Sequence, residues 1–361
     1  MANFFEMILA TVFVLGVLVF VHELGHLMAA KMFKIRVDRF SLGFPPRLIG
    51  KKIGETDYCL SAIPIGGYAK IAGMVDESMD VDFEEGPPQP WEFRSRPWYQ
   101  KVIVISAGSF MNLLLAFLIF WGIAFFHGIM NIPEPWTDHV TVLEGQPAYM
   151  AGMRTGDQLM TIDGDTIQSW DQIIMKVYPS AGKPLKVTWK RGENIITETI
   201  VPAADTSETA LQENVGKIGL KIDMEYERMG FLQAIRFGWE ELYLNCELFV
   251  VSWKRLLTGK ESLRALSGPV KIAELAGKTA KSGFLNLVGF MAFIGVNLGL
   301  LNMLPIPVLD GGHLVFIHLE AIMRKSIPIK TKLMIQQVGM MLIFGIMIFV
   351  LYNDIMGIVH K

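Results

Sequence analysis

Cysteine and charged residues are both scarce in this chain of 361 residues. Its two cysteines, Cys59 and Cys246, lie far apart and outside any CxxC motif, which excludes a disulfide framework and a thiolate zinc cluster. Charged residues make up 19% of the chain, against roughly 25% in a typical soluble domain. The formal net charge of −2 leaves no basic excess for binding nucleic acid. Any metal site must therefore use histidine and carboxylate ligands.

Long apolar segments are what the chain has instead. Hydrophobic residues make up 52% of it. Four segments are long enough to cross about 30 Å of hydrocarbon, and these are Met7–Ala30, Val102–Phe126, Leu285–Leu309 and Leu333–Tyr352. The first lacks the basic start and the short length of a cleaved signal peptide. The sequence therefore predicts a polytopic α-helical membrane protein with four transmembrane helices.

A fifth apolar segment, Phe231–Leu257, carries too many charges to span a membrane. Burying each charge at the bilayer centre costs roughly 2.5–3.5 kcal/mol. The charged residues are Arg236, Glu240, Glu241, Glu247, Lys254 and Arg255. We expect an amphipathic helix that lies on the membrane or on the protein.

Basic residues near the span ends predict the orientation. Residues 31–101 hold eleven lysines and arginines and residues 311–332 hold four, whereas none precedes the first span. By the positive-inside rule, both termini face outward and residues 31–101 are cytoplasmic. The long segment between the second and third spans is then exported. This distribution predicts a multi-pass membrane protein with both termini and the exported segment on the outer side.

Residues 139–203 of the exported segment read as a small α+β domain. The alternating pattern predicts strands at His139–Leu143 and Gln158–Ile162, helices at Pro147–Gly152 and Ser169–Pro179, and a hairpin of Pro184–Lys190 with Asn194–Val201. The stretch Gly145–Leu159, followed by Ile162-Asp163-Gly164, resembles a bacterial PDZ domain. PDZ domains bind extended peptides or chain ends beside a sheet edge. A purely structural β-domain is the alternative.

The first apolar segment contains the HExxH motif His22-Glu23-Leu24-Gly25-His26. Residues four apart share a helix face, so His22 and His26 can bind one zinc ion while Glu23 serves as general base. Ionisable residues inside a transmembrane segment are costly and indicate function. A polar cluster that only packs helices together is the alternative.

A zinc site needs a third protein ligand, and Asp310 is the candidate. It follows the third span in the segment Asn302–Gly312, where Pro305 and Pro307 break a helix. With four spans, the first and third cross in the same direction, so Asp310 and His26 fall toward the same inner side. A helix cap or a loop residue is the alternative for Asp310.

Three motifs together resemble the site-2 protease family of intramembrane zinc metalloproteases, specifically its bacterial RseP-like branch. They are HELGH in the first span, Gly108-Ser109-Phe110-Met111-Asn112 in the second, and Asn-x-x-Pro-x-Pro-x-Leu-Asp-Gly-Gly at the end of the third. Ile63–Lys70 and Ser267–Val270 also resemble this branch. Two features depart from it: Ser109 stands where the motif usually has proline, and the chain has room for one PDZ domain rather than two.

The resemblance implies regulated intramembrane proteolysis. One Zn²⁺ per chain would be held by His22, His26 and Asp310, with Glu23 as the catalytic base. The substrates would be single-pass transmembrane proteins after a first cleavage, such as trimmed anti-sigma factors. The resemblance also implies a bacterial inner-membrane location, so the lipid bilayer is the other expected partner, and no nucleic acid is expected.

A helical substrate hides its backbone, so the enzyme must hold it extended. The alternating segment around Gly66, Gly67 and Tyr68 is the candidate edge strand for this purpose. The resemblance also suggests that Asn302 hydrogen-bonds the freed substrate backbone. An ordinary hairpin turn and an interhelical hydrogen bond are the respective alternatives.

The predicted organisation follows from these segments. It comprises transmembrane helix 1 (1–30), a cytoplasmic loop with a β-hairpin region (31–101), transmembrane helix 2 (102–127), the PDZ domain (139–203), an amphipathic periplasmic or membrane-surface region (204–284), transmembrane helix 3 with the ligand aspartate (285–310) and transmembrane helix 4 (333–353).

Two other functions fit parts of the sequence. One is a non-catalytic PDZ-containing membrane scaffold or sensor, and the other is a transporter with a proline-broken span.

Overall fold

The computed structural model describes residues 2–74, 87–131, 140–204, 215–222, 225–261 and 268–359. The chain forms two compact units, one of Met1–Ile123 with Leu232–Lys361 and the other of Ala124–Phe231. The predicted element that begins at His139 and the motif that begins at Ser267 start outside the described residues.

The described helices are α1 (Ala2–Met32), α2 (Trp98–Gly122), α3 (Pro147–Met150), α4 (Trp170–Val177), α5 (Phe231–Leu257), α6 (Pro269–Ser282), α7 (Phe284–Asn302), α8 (Asp310–Met323) and α9 (Ile329–Val359). Short 3-10 turns lie at Phe93–Ser95 and Tyr178–Ser180, and Ile123–His127 is π-helical. The described strands are β1 (Val37–Ile53), β2 (Thr56–Ile71), β3 (Ile129–Asn131), β4 (Val140–Val142), β5 (Gln158–Ile162), β6 (Asp165–Thr166), β7 (Leu185–Arg191), β8 (Asn194–Ile200), β9 (Ala203–Ala204), β10 (Gly216–Lys217), β11 (Leu220–Ile222) and β12 (Glu225–Glu227).

Four of the described helical segments are long and apolar enough to cross a membrane. They are Phe4–Met32, Trp98–His127, Phe284–Asn302 and Ile329–Met356. The last keeps large apolar side chains exposed, among them Met334 and Met341 at 64% and 74%. Such surfaces suit lipid rather than water. The prediction of four candidate spans is confirmed.

The third span ends earlier than the sequence predicted. Helix α7 stops at Asn302 instead of continuing to Asp310, and a new helix, α8, begins at Asp310. Pro305 and Pro307 lie between them and supply no backbone N–H for a continuous helix. The sequence analysis did not predict α8, because its glycines and prolines favoured a turn.

Helices α1, α2, α6 and α7 pack closely because small residues line their contacts. A Cβ atom on Gly25 of α1 would lie 2.4 Å from the carbonyl oxygen of Ala107 in α2. A Cβ on Gly299 of α7 would lie 3.1 Å from the carbonyl oxygen of Ser109. Close backbone approach of this kind is the usual basis of helix association in membranes.

Strands β1 and β2 form the predicted hairpin, and β2 bends so that it lies on both sides of β1. Ser41 of β1 pairs with Cys59 on one side and with Tyr68 on the other. The end of β2, Gly67–Ile71, is therefore an outer strand. No other described strand pairs with its far edge.

The second unit contains the elements predicted for the exported domain. Its sheet has the antiparallel order β6-β5-β7-β8, and the predicted hairpin turns between Arg191 and Asn194. Its core also contains Ile218 and Ile222, because β11 pairs with β4. The sequence analysis did not anticipate this later strand.

Helix α5 has the bounds predicted for the amphipathic segment. Its buried Gly238 lies against Trp121 of α2, where an added Cβ would be 3.0 Å from the Trp121 backbone nitrogen. Helix α6, which was not predicted, has its first turn capped by α9. The two carboxylate oxygens of Asp354 accept hydrogen bonds from the backbone amides of Gly268 and Lys271, each at 3.2 Å.

Candidate metal centre

Helix α1 places His22, Glu23 and His26 in the interior of the first unit. Each of the three residues is at most 8% exposed. The two histidines lie one helical turn apart, and their Nε2 atoms are 3.1 Å from each other. The HExxH motif therefore forms the paired imidazoles that its spacing predicted.

Asp310 meets this pair from α8. Its Oδ2 atom lies 3.3 Å from Nε2 of His22, and its Oδ1 atom lies 3.6 Å from Nε2 of His26. These residues form a group that could hold a metal ion, since a ligand atom from each lies within 4.8 Å of the others. The structure thus brings together three residues that are up to 288 positions apart in the sequence (310 − 22 = 288).

The segment between α7 and α8 fixes the position of Asp310. A Cβ on Gly311 would lie 2.1 Å from the carbonyl oxygen of Leu304, and a Cβ on Gly312 would lie 2.4 Å from that of Ile306. The chain can close this tightly only because both residues lack a side chain. The Asp-Gly-Gly sequence therefore places its carboxylate at the start of α8, beside α1.

Gly108 of α2 lies against both imidazoles. A Cβ on Gly108 would be 2.4 Å from Nε2 of His26 and 2.7 Å from Cε1 of His22. Any side chain there would collide with the two rings. The sequence motif contained Gly108, but its spacing gave no sign that it faces both histidines.

A backbone carbonyl on α2 determines which tautomer of the neutral His26 ring fits the site. The ring nitrogen Nδ1 lies 2.9 Å from the carbonyl oxygen of Val104, to which it can only donate. The lone pair of His26 then resides on Nε2, the atom that faces Asp310. This partner has no sequence signature, because every residue carries a carbonyl group.

Ser109 also reaches the site from α2. Its hydroxyl donates a hydrogen bond to Oδ2 of Asp310 across 3.4 Å. The residue that departs from the expected second-span motif therefore contacts a candidate ligand.

The donor set fits zinc. Two imidazole nitrogens and a carboxylate oxygen are common zinc ligands, at about 2.0–2.2 Å from the ion. Tetrahedral ligands at that distance lie roughly 3.3 Å from one another, close to the measured 3.1, 3.3 and 3.6 Å. A three-ligand site leaves one position for water or substrate, as in catalytic zinc sites.

Glu23 faces the outer strand of the hairpin. Its carboxylate accepts a hydrogen bond from the backbone amide of Ala69. A Cβ on the neighbouring Gly67 would lie 3.0 Å from a Val19 methyl group and 3.5 Å from Cγ of Glu23. The predicted substrate segment therefore lies directly against the proposed base.

Of the other predicted substrate residues, Tyr68 lines the cavity at the site, whereas Asn302 is not among the described residues that line it. Tyr68 lines a cavity of about 40 Å³ together with Glu23, His26 and Asp310. Its hydroxyl accepts a hydrogen bond from Arg39 at 3.2 Å. Gly66 adopts a φ of 107° over the Phe44 ring. Within the described part of the chain, the Asn302 side chain makes no hydrogen bond.

His313 was not singled out as a site residue, yet it lines the same cavity. It also lines a second cavity of about 440 Å³, where Lys101, Glu320 and Lys332 carry charge. Burial lowers the pKa of His313 to about 4, and the neighbouring Asp310 only partly opposes this shift. The ring is therefore neutral at physiological pH. Its Nε2 lies 3.2 Å from the amide nitrogen of Gln336.

The chain is similar to known proteins along most of its length. The model of peptidase family M50 matches residues 10–346. A protein of Clostridium perfringens named as a zinc metalloprotease is 34% identical over 339 residues, covering 94% of this chain and 95% of the relative. The Regulator of sigma-W protease RasP of Bacillus subtilis is 27% identical and the zinc metalloprotease RasP of Geobacillus kaustophilus is 29% identical, each alignment covering 98% of this chain and 99% of the relative.

The family model covers nearly the whole chain. The relatives of this chain are named as zinc metalloproteases, and His22, His26 and Asp310 form a group that could hold a metal ion. The four long apolar helices add a multi-pass membrane architecture. The chain belongs to peptidase family M50 and is a zinc metalloprotease of the site-2 type.

Proposed function

We propose that this protein cuts peptide bonds within membrane-spanning segments of other proteins, using one zinc ion held by His22, His26 and Asp310. The observation that carries the proposal is the convergence of two buried histidines and the half-buried Asp310 on one point, with Glu23 beside them on a candidate membrane-spanning helix. A scaffold or sensor would not need three ligand atoms gathered around a gap. A transporter would not need the HExxH arrangement.

When bound, zinc would polarise the scissile carbonyl and lower the pKa of water. The protein's own contribution is to position and move protons. Glu23 takes a proton from the attacking water and delivers it to the departing amine. The amide of Ala69, which donates to Glu23, holds this carboxylate in a fixed orientation. We propose that water reaches the site through the larger cavity, which shares Met74 and His313 with the cavity at the site.

The outer strand Gly67–Ile71 is the proposed binding edge for the substrate. One side of it pairs with β1, and within the described residues no strand occupies the other side. An unwound substrate could add a strand there through backbone hydrogen bonds, as peptides do on other sheet edges. Such pairing would hold the scissile bond extended beside Glu23. Tyr68, stacked on Phe44 with ring centroids 6.2 Å apart, would flank it.

The substrate class and the orientation are part of the same proposal. We propose that the substrates are single-pass proteins already trimmed by a first protease, with anti-sigma factors as one example. One relative carries the name Regulator of sigma-W protease, which supports a signalling role of this kind. The excess of basic residues at 31–101 supports an inner-membrane protein whose termini face outward.

The second unit would then be an exported PDZ domain that selects substrates. Its antiparallel sheet of four strands and its helix α4 support this assignment. A folded domain on the outer side cannot supply groups to an inner-side metal centre. We therefore propose that it excludes substrates with a bulky outer domain.

Cleavage of a model transmembrane substrate by purified protein in lipid vesicles tests the proposal. Glu23→Gln should reduce cleavage by at least about 10²-fold, since general-base catalysis typically contributes 10²–10⁴. It should keep its zinc, because no ligand is removed. Glu6→Gln, which changes an exposed carboxylate on the same helix, is the matched control and should cleave normally. Full activity in Glu23→Gln would overturn the assigned mechanism.

A further inference from the structure

We propose that Asn112 is a positioning residue for the metal centre. Its side-chain oxygen accepts a hydrogen bond from Nδ1–H of His22, which leaves the Nε2 lone pair of that ring free for the ion. This inference rests on the proposed function, since it takes His22 as a metal ligand. It adds a role for a residue that touches neither the ion nor the substrate.

Asn112 lies on the face of α2 that is turned toward the site. It is fully buried, and its amide group lies 3.4 Å from Nδ1 of His22. With the amide nitrogen Nδ2 facing the ring, the oxygen atom Oδ1 is buried without a hydrogen-bond partner among the described residues. Buried polar atoms are normally paired, so an orphaned oxygen in this position calls for an explanation.

An amide orientation with Nδ2 toward His22 conflicts with metal binding at that ring. If the amide N–H donated to Nδ1, a neutral His22 would carry its proton on Nε2. That atom lies 3.1 Å from Nε2 of His26 and 3.3 Å from Oδ2 of Asp310, where a ligand lone pair is required. A protonated Nε2 cannot coordinate an ion.

Exchanging the amide oxygen and nitrogen resolves both problems. The two atoms have nearly the same shape and are assigned from hydrogen bonding rather than from position. After the exchange, Oδ1 accepts from Nδ1–H of His22 and is no longer orphaned. The lone pair of His22 then lies on Nε2 and faces the same point as that of His26.

The neighbouring residues on α2 make the same kind of contact. The carbonyl oxygen of Val104 accepts from Nδ1 of His26, and the hydroxyl of Ser109 donates to Asp310. With Asn112, one helix face would therefore orient each of the three candidate ligands. Such outer partners of metal-bound histidines typically change metal affinity or activity by 10–100-fold when they are removed.

Three variants of the full-length protein test this role. Asn112→Leu has similar size and lacks the acceptor, whereas Asn112→Asp keeps one. Asn297→Leu is the control, because Asn297 bonds the backbone of its own helix, at the Phe293 carbonyl. Zinc affinity, measured by competition with a chelator, should fall roughly 10–100-fold in Asn112→Leu. It should remain near the wild-type value in Asn112→Asp and in the control.

A second readout separates positioning from packing. In metal-free protein with ¹⁵N-labelled histidine, the His22 resonance, identified by its loss in His22→Ala, should report a proton on Nδ1. Asn112→Leu should shift this resonance toward a mixture of the two tautomers.

Two results would overturn the proposal. One is an unchanged zinc affinity and His22 tautomer in Asn112→Leu. The other is an equal loss of affinity in Asn112→Leu and Asn112→Asp, which would indicate packing alone. If His22→Ala itself keeps its zinc, the metal centre is wrong, and that outcome is distinct from a failure at Asn112.

Discussion

Gly108 sets the dimensions of the metal centre at the scale of single residues. The two imidazoles can take their positions because this residue has no Cβ, which would lie 2.4 Å from Nε2 of His26. Real Cβ atoms do not come that close to another atom, so a substituted side chain must push a ring aside. Because the rings are buried and packed, they have little room to move.

We therefore expect Gly108→Ala to bind zinc at least about 10-fold more weakly, a loss comparable to that caused by disturbing the partners of metal ligands. Gly122→Ala is the control, since nothing lies within 4 Å of a Cβ at that position of the same helix. Chelator competition measures both variants. Equal zinc affinity in Gly108→Ala and wild type would show that the ion lies elsewhere.

The residues that converge at the candidate metal centre could be singled out from the sequence, and their hydrogen-bond partners could not. His22, Glu23 and His26 were predicted by their spacing, and Asp310 by its place after a proline-broken span. The Val104 carbonyl was not, because a backbone acceptor leaves no pattern in the sequence. Ser109 was noted only as a departure from a motif, although its hydroxyl contacts Asp310.

At the scale of elements, an ion pair ties β7 of the second unit to the turn before β5. The Asp157 carboxylate accepts hydrogen bonds from Nε and Nη2 of Arg191 at 2.8 and 2.7 Å, and from the amide of Arg154 at 2.8 Å. Burial alone would raise the pKa of Asp157, but Arg191 and this amide together lower it below its usual value. Folding therefore favours the ionised carboxylate.

A lowered pKa in the folded state means that the stabilisation is present above the unfolded pKa of about 3.9 and is lost as the pH falls through the folded value. Asp157→Asn should therefore destabilise the second unit by about 1–3 kcal/mol at pH 7, the range for losing a charged hydrogen bond. The difference from wild type should shrink as the pH falls below about 4. Hydrogen exchange of amides in β7 and β8, measured against pH, checks both statements. A difference that persists undiminished at pH 2 would contradict this role for the carboxylate.

Elements with a strong periodic or compositional pattern were the predictable ones. The four apolar helices and the hairpin of β7 and β8 follow directly from such patterns. Helix α8 and strand β11 were not anticipated. The first begins within an Asp-Gly-Gly sequence that reads as a turn, and the second is three residues long and depends on its partner β4.

At the scale of the whole molecule, the proposed function assigns catalysis to one unit and substrate selection to the other. All of the candidate ligands and Glu23 lie in the unit of Met1–Ile123 with Leu232–Lys361. The unit of Ala124–Phe231 holds the domain that would select substrates. Chemistry and selection should therefore be separable by deletion.

The pairing of β3 with β12 indicates where to cut. Asn131 pairs with Glu225, so residues 132–224 can be replaced by a two-residue Asn-Gly turn that closes a short hairpin. The shortened protein should keep its zinc and should still cleave a pre-trimmed substrate. It should also gain cleavage of an untrimmed substrate with a bulky outer domain, which the full chain excludes. If cleavage of the trimmed substrate is lost while zinc and folding persist, the domain is a required docking site rather than a filter.

The central claim is that His22, His26 and Asp310 hold a single zinc ion. X-ray absorption at the zinc edge, combined with metal analysis of the purified full-length protein, tests it most directly. We predict one zinc per chain with nitrogen and oxygen ligands at about 2.0–2.2 Å and no sulfur. The same spectrum is expected for Glu23→Gln, and zinc should be lost in His22→Ala, His26→Ala and Asp310→Ala. A sulfur ligand, or full zinc occupancy in any of these three ligand variants, would contradict the account.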